Sequence, residues 1–338
     1  MKFSVGYQLC TDDALLQTII RYRQSISEIY FAFSDLPNGR NLSVNSQCFT
    51  ETGAHRQQME ELAFLHAHGF SFQLLLNGNC YGRHALSRAF FCKIGDLIED
   101  LSAELSLTGV TTTSPVIAKF IKQNFPQLAV RASVNMEIGT AEGLDYLAEY
   151  FDGFYIKREY NRCLAKLRAL RLWCDRNGKK LYGLANSGCL NFCSARTFHD
   201  NLVAHEAEIS EMDNAYAFEG QCAHYLKSNE KREDWLRITN FIRPEDVALY
   251  EGIFDEMKLA TRMNADPARI IKAYCTGSYR GAVTDLLEPN HAGLFYPAVI
   301  ENKKLPDVFA KTVMECDKHC AACDFCRNAQ QNATVILE

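Results

Sequence analysis

Four cysteines fall within eleven residues toward the C-terminus: Cys316, Cys320, Cys323 and Cys326, spaced x3, x2 and x2. Thiolates bind soft metals, and such close spacing lets one loop wrap a single ion or cluster. Structural zinc usually pairs two CxxC-type knuckles across a longer spacer, and no spacer exists here. The run therefore reads first as an iron–sulfur ligand set, with zinc as the alternative. A second group is Cys189-x3-Cys193, joined by Cys222 in "EGQCAHYL". Three thiols can hold a second cluster, its fourth position filled by a tail cysteine, by Cys275 or by a substrate. The plain alternative is three small buried apolar side chains, a common state of free cysteine.

Other groups carry weaker signals. Cys316-x3-Cys320-x2-Cys323 has the spacing of a radical S-adenosylmethionine cluster loop, but that loop follows a first barrel strand and this one lies at the far end of the chain. Cys48, Cys80, Cys92, Cys163 and Cys174 show no ligand spacing. A cysteine nucleophile needs a base such as His84, His199 or His205, and sequence distance alone sets none of them beside a thiol. His199 and His205 are six apart and do not share a helix face. Arg131, Lys157, Arg196, Lys258 and Arg262 follow candidate strands. As a converging set they suit a carboxylate- or phosphate-bearing substrate. Neither HExxH nor GxSxG occurs.

These residues need a scaffold. The chain has 338 residues, 47% hydrophobic and 23% charged, enough to bury a core without cross-links. Its 14 cysteines are therefore not needed as staples. The net charge of −5 gives no chain-wide basic field for nucleic acid, although a local groove stays open. "MKFSVGYQLCTDDALL" lacks the apolar stretch of a secretion signal, and no apolar run approaches the roughly 18 residues that span a bilayer. A cytoplasmic, reducing location follows as an expectation, and there clustered cysteines point to metal or catalysis.

Short β-rich runs alternate with amphipathic stretches. The runs are 2–8, 28–34, 71–77, 105–110, 128–135, 153–157 and 180–186, then 237–243 and 257–261. "SPVIAKFIKQNFPQ" opens with an N-cap serine and a first-turn proline, and "HRQQMEELAFLHAHG" ends on a C-capping glycine. This alternation predicts an α/β fold, a (β/α)8 TIM-like barrel over 1–265. A helical, cysteine-rich extension follows over 266–338. No GxGxxG follows a strand, which weighs against a dinucleotide fold. Catalytic groups of such barrels gather where strands end. Those positions supply Cys10, Asn77, Asn79, Cys80, Arg131, Asn135 and Lys157, then the stretch "LANSGCLNFCSARTFHDN".

Several segments resemble the collagenase-like U32 peptidase family. "NFIRPEDVALYEGIFDEMKLATRM" is similar to its hallmark "IRPED…YE" stretch, with Ala260 and Thr261 where another small residue and glycine are usual. "LLLNGNCYG" and "LAVRASVNMEIGTAEGLDYL" also resemble family segments. "LANSGCLNFCSARTFHDNLVAH" is similar to a "NEGCxxxCPxRxxHxN" pattern. On that pattern Asn186, Gly188, Cys189, Cys193, Arg196, His199 and Asn201 match, and Ser194 replaces the proline. The resemblance spans about residues 70–280. It implies a barrel-like fold and one 4Fe–4S cluster, with Cys189, Cys193 and Cys222 as ligands. It also implies oxygen-independent hydroxylation of a small aromatic or RNA substrate, with a prephenate-like oxygen donor, and a homologous partner subunit. Asn77, Asn79, Arg131, Asn135, Lys157, Arg196 and His199 are then the candidate substrate-handling residues. Two alternatives stand beside this reading: a peptidase, and a non-catalytic cluster-bearing subunit.

Overall fold

The structure, a computed structural model, describes residues 1–9, 12–33, 36–39 and 50–337. Cys10 and Cys48 lie outside that set. Eight parallel strands close into a barrel in chain order. They are β1 (Phe3–Gly6), β2 (Ile26–Phe31), β3 (Phe72–Leu76), β4 (Leu107–Thr112), β5 (Ala129–Ala132), β6 (Gly153–Tyr155), β7 (Lys180–Leu184) and β8 (Glu256–Leu259). β8 returns to β1 with Phe3 opposite Met257 and Val5 opposite Leu259. The expected TIM-like barrel is thus present. Among the described residues no helix is long and apolar enough to cross a membrane.

Local chemistry fixes the helices. Ser114 Oγ accepts the Ile117 N–H at 3.2 Å, and Pro115 occupies the first turn of the helix Pro115–Asn124. Gly69 takes φ +79° just past the helix Glu51–Ala67, a conformation that favours glycine.

Side chains alternate between the two faces of each strand. The outward set, with Ile29, Phe31, Leu74, Val130, Phe154, Met257 and Leu259, packs under the helices as the main core. The inward set is polar. Glu28, Gln73, Arg131 and Glu256 fill the middle of the barrel, with Tyr155 and Tyr182 beside them. Such charges stay buried only when paired. Arg131 therefore donates to both oxygens of Glu28, at 2.5 and 2.9 Å.

The run 237–243 is not a strand. Trp235–Ile238 forms a 3-10 turn and a second one begins at Pro244. The barrel is already closed, since Tyr182 pairs with Glu256 and Leu184 with Lys258, so no ladder position is free. The Ile242 N–H still donates to Ala185 O at 2.7 Å, just past the end of β7. The sequence also overestimates strand length: Asn77 and Asn135 fall beyond the ladder and become rim residues.

The helix Pro267–Thr276 completes the outer ring and shares the main core through Ile270, Ile271 and Tyr274. A second core lies alongside. Leu190, Leu226, Trp235, Leu236 and Phe241 from the long β7–β8 connection meet Val283, Phe295, Ile300, Phe309 and Val313 from the C-terminal part. Trp235 is fully buried between Phe241 and Phe295, at ring distances of 5.6 and 5.3 Å. An antiparallel pair, β9 (Ala298–Ile300) and β10 (Thr334–Ile336), closes this lobe.

Candidate active site

The C-terminal ends of the strands surround a cavity of about 70 Å³. Tyr30, Leu75, Leu184 and Lys258 form its lower wall, two residues beyond the middle-layer Glu28, Gln73, Tyr182 and Glu256 on their strands. Asn77, Asn135, Arg158, Cys189, Asp200, Arg262 and Glu288 line the rest. Lys258 is buried, its ammonium 3.6 Å from the centre of the Tyr30 ring. Burial, with the nearby Arg262, lowers the Lys258 pKa to about 7. Arg158 is also buried. Its Nη2 donates to Asn135 Oδ1 at 2.7 Å, while Nε and Nη1 have no partner among the described residues. Asp200 Oδ2 is likewise buried and unpartnered there. Unsatisfied buried polar groups are costly; here two are donors, on Arg158, and one is an acceptor, on Asp200.

Asn186 ties the mouth together. Its Nδ2 donates to Ala260 O and Leu286 O, both at 2.8 Å, and its Oδ1 accepts the Ala260 N–H at 2.6 Å. Gly188 continues the seam, donating to Glu288 O at 2.9 Å. A Cβ on Gly188 would lie 2.0 Å from Pro289 O, so only glycine fits. This pairing carries Glu288 into the cavity.

Cys189 stands at a junction. It lines the mouth cavity, and its own loop lines a neighbouring pocket with Cys193 and Cys222. Arg196 clamps that loop from beneath. It donates to Leu190 O at 2.7 Å and to Glu137 at 2.9 Å, and it pairs with Glu159 at 3.2 Å. Glu159 in turn accepts the Phe192 N–H at 2.9 Å. Burial first, then the neighbouring sulfurs, raises the Cys222 thiol to about 11.

The four tail cysteines surround a separate pocket, with Asp234, Arg237, Lys318 and His319. They do not join the barrel mouth. Arg327 grips Asp234 with two bonds of 2.8 Å, and Gln330 accepts the Leu236 N–H at 2.9 Å, which docks the tail on the Trp235–Ile238 turn. Ile238 on that turn lines the Cys193–Cys222 pocket. The two sulfur groups thus flank one short turn. Among the described residues no three His, Cys, Asp or Glu side chains stand close enough as placed to hold a metal ion. All-sulfur donor sets still suit iron–sulfur clusters. Metal binding deprotonates thiol ligands and draws them together.

The sequence is 24% identical over 296 residues to the uncharacterized protease MJ1657 of Methanocaldococcus jannaschii, covering 83% of this chain and 84% of that one. The fold matches the structure of the U32 peptidase Mk0906 with a TM-score of 0.54 at 17% identity, covering 76% of this chain and 91% of the other. The fold is thus that of the U32 peptidase Mk0906, and the sequence is similar to that of a protein named as a protease. No family model matches the sequence.

The U32-type motif residues divide by role. Asn186, Gly188 and Arg196 are scaffold. Cys189 lines the mouth cavity, and Cys193 lines the neighbouring pocket. His199 is half-buried, its ring 5.3 Å from that of Phe218. Lys157 lies outside the cavity lining, its ammonium 5.8 Å from the Phe192 ring. Asn77 lines the mouth and accepts the Gly39 N–H at 3.1 Å, whereas Asn79 is outside the cavity lining, its buried Oδ1 without a partner among the described residues. Arg131 is corrected from substrate binder to barrel interior, because Glu28 already occupies its guanidinium. Sequence reasoning missed Tyr30, Arg158, Asp200 and Glu288. Arg158 directly follows Lys157 and was the better cation to choose, since a strand end turning into a 3-10 segment aims consecutive side chains apart.

One further constellation lies at the rim. Cys80 sits beside His205, and the His205 Nδ1 lies 3.3 Å from Glu208 Oε2. The Gly82 N–H donates to the Cys80 sulfur at 3.4 Å. His205 lowers the Cys80 thiol pKa, and the thiol raises that of the histidine.

Proposed function

We propose that this U32-like chain is an iron–sulfur-dependent enzyme that modifies a small anionic substrate held in the barrel mouth, by oxygen-independent hydroxylation or a related reaction. The supporting observation is Cys189, whose side chain borders the mouth cavity and whose loop borders the Cys193–Cys222 pocket. Cys189, Cys193 and Cys222 would hold one cluster, and Cys316, Cys320, Cys323 and Cys326 a second. Such a cluster supplies electrons, or an iron with an open position as a Lewis acid. Arg158, Lys258 and Arg262 draw in the anion, including the acid group of a prephenate-like donor. Asn77 and Asn135 orient it, and Asp200 and Glu288 hold or move protons at the cavity wall. A test is the spin-resonance spectrum of reduced, anaerobic protein before and after adding a small carboxylate. A changed signal, lost in Cys189→Ser, supports a shared wall. An unchanged signal with the carboxylate bound contradicts it.

A second reading, a peptidase, has one observation in its favour: the Cys80, His205 and Glu208 row has the order of nucleophile, base and orienting acid. Iron-free protein should then cleave casein or gelatin, and Cys80→Ser should stop it. Cleavage that survives Cys80→Ser removes this reading.

A further inference from the structure

Lys258 is buried inside the barrel, yet among the described residues its ammonium has no hydrogen-bond or ion-pair partner; the faces of Tyr30 and Tyr155, at 3.6 and 5.4 Å, are its neighbours. The acids of the layer beneath, Glu28 and Glu256, are drawn to Arg131 instead. Glu288, on the same cavity wall, is held by the Met263 N–H at 2.8 Å. A structural lysine would be matched to a carboxylate. Among the described residues this one has no carboxylate within ion-pair distance, with Glu28 and Glu288 acting on it only from further off, and Arg158, two of whose nitrogens are unpartnered among those residues, lines the same cavity. A volume of about 70 Å³ has room for roughly five to seven water-sized groups, the size of a small organic acid.

We propose that Lys258 is a covalent amine, forming an imine with a small aldehyde or ketone whose carboxylate is held by Arg158. This inference rests on the mouth being an anion site, and it does not depend on iron. Burial keeps a large fraction of the amine neutral near neutral pH, which is the nucleophilic form. The nitrogen lone pair attacks the carbonyl carbon, forming the C–N bond as the C=O π electrons move to oxygen. Glu288 carries a proton from that nitrogen to the oxygen. The hydroxyl then leaves as water with a second proton from the same nitrogen, and the C=N bond forms. Amine and carbonyl are consumed, imine and water are made, and Glu288 ends unchanged. The imine is an electron sink that eases bond breaking at the neighbouring carbon.

The test is borohydride trapping with glyoxylate, with acetaldehyde as the probe lacking a carboxylate, followed by peptide mapping of every lysine. It is run on iron-loaded and iron-free protein alike. Reduction adds hydride to the imine carbon and leaves a stable secondary amine. The expected result is glyoxylate labelling of Lys258 at least tenfold faster than that of exposed lysines such as Lys180, in both preparations. Arg158→Gln should raise the half-saturating glyoxylate concentration about tenfold more than it raises that of acetaldehyde. Labelling spread evenly over surface lysines overturns the proposal. Calorimetry with glyoxylate separates the two readings: binding without an adduct defeats the imine alone, and no binding defeats the anion site as well.

Discussion

Glu28 and Arg131 meet face to face in the middle of the barrel, two parallel hydrogen bonds joining β2 to β5 across the interior. Both side chains are buried, and Arg131 lies 4.5 Å over the Tyr182 ring. The pair is the floor beneath the cavity, not a substrate clamp. Removing one partner leaves an uncompensated buried charge, which costs about 3–5 kcal/mol. Arg131→Met should lower unfolding stability by that amount in a denaturant titration. The double variant Glu28→Leu with Arg131→Met should recover part of the loss. Unaltered stability in Arg131→Met, with lost substrate affinity, would return Arg131 to the binding site.

Lys258 gives a pH signature. Its folded pKa, about 7, lies below the ordinary 10.5. Between those values the unfolded chain keeps the proton and the folded one releases it, so stability rises with pH through that window. Each unit is worth about 1.4 kcal/mol, which gives about 2–3 kcal/mol between pH 7 and 9. Wild type should show that gain relative to Lys258→Met. Parallel pH profiles for the two proteins would mean that the amine stays charged when folded.

Cys80, although only partly exposed, should react faster than the exposed Cys92. His205 lowers its pKa, so the thiolate fraction at neutral pH exceeds that of an ordinary cysteine. Iodoacetamide labelling followed by peptide mapping should find Cys80 faster than the exposed Cys92, by about threefold or more. His205→Ala should erase the difference. Equal rates in the wild type would dissolve the pair.

Trp235 links the two sulfur pockets, because the turn it anchors separates them. Truncating a fully buried tryptophan typically costs about 3–5 kcal/mol. Trp235→Phe, a gentler change, should loosen the docking of Gln330 and Arg327, seen as faster hydrogen exchange over 309–333 with the barrel strands still protected. Uniform loss of protection throughout would show that the lobe and barrel unfold as one.

The barrel was legible because β-rich runs and helical patterns alternate, and because caps such as Ser114 and Gly69 mark helix ends. The misread run 237–243 shows the limit: "RITNFIR" has strand composition, but closure of eight strands leaves it no neighbour. Local patterning cannot count strands around a ring. The cysteine spacing pointed to two groups; the structure sets Cys193 and Cys222 on one pocket, Cys189 on the mouth cavity and the four tail cysteines on another pocket. Spacing could not show that the tail keeps to its own pocket. The cavity cations were half visible. Lys258 in the last strand and Arg262 just after it were noticed, while Arg131 was misassigned because Glu28, its partner, is 103 positions away. Arg158 and Asp200 meet only through the fold, and no short spacing signals that.

Iron and acid-labile sulfide per chain, measured after anaerobic purification, test the cluster reading most directly. About eight irons with matching sulfide are expected, falling to about four in Cys189→Ser and to about four in Cys323→Ser. Protein that carries no iron under those conditions, or that carries zinc alone, contradicts it.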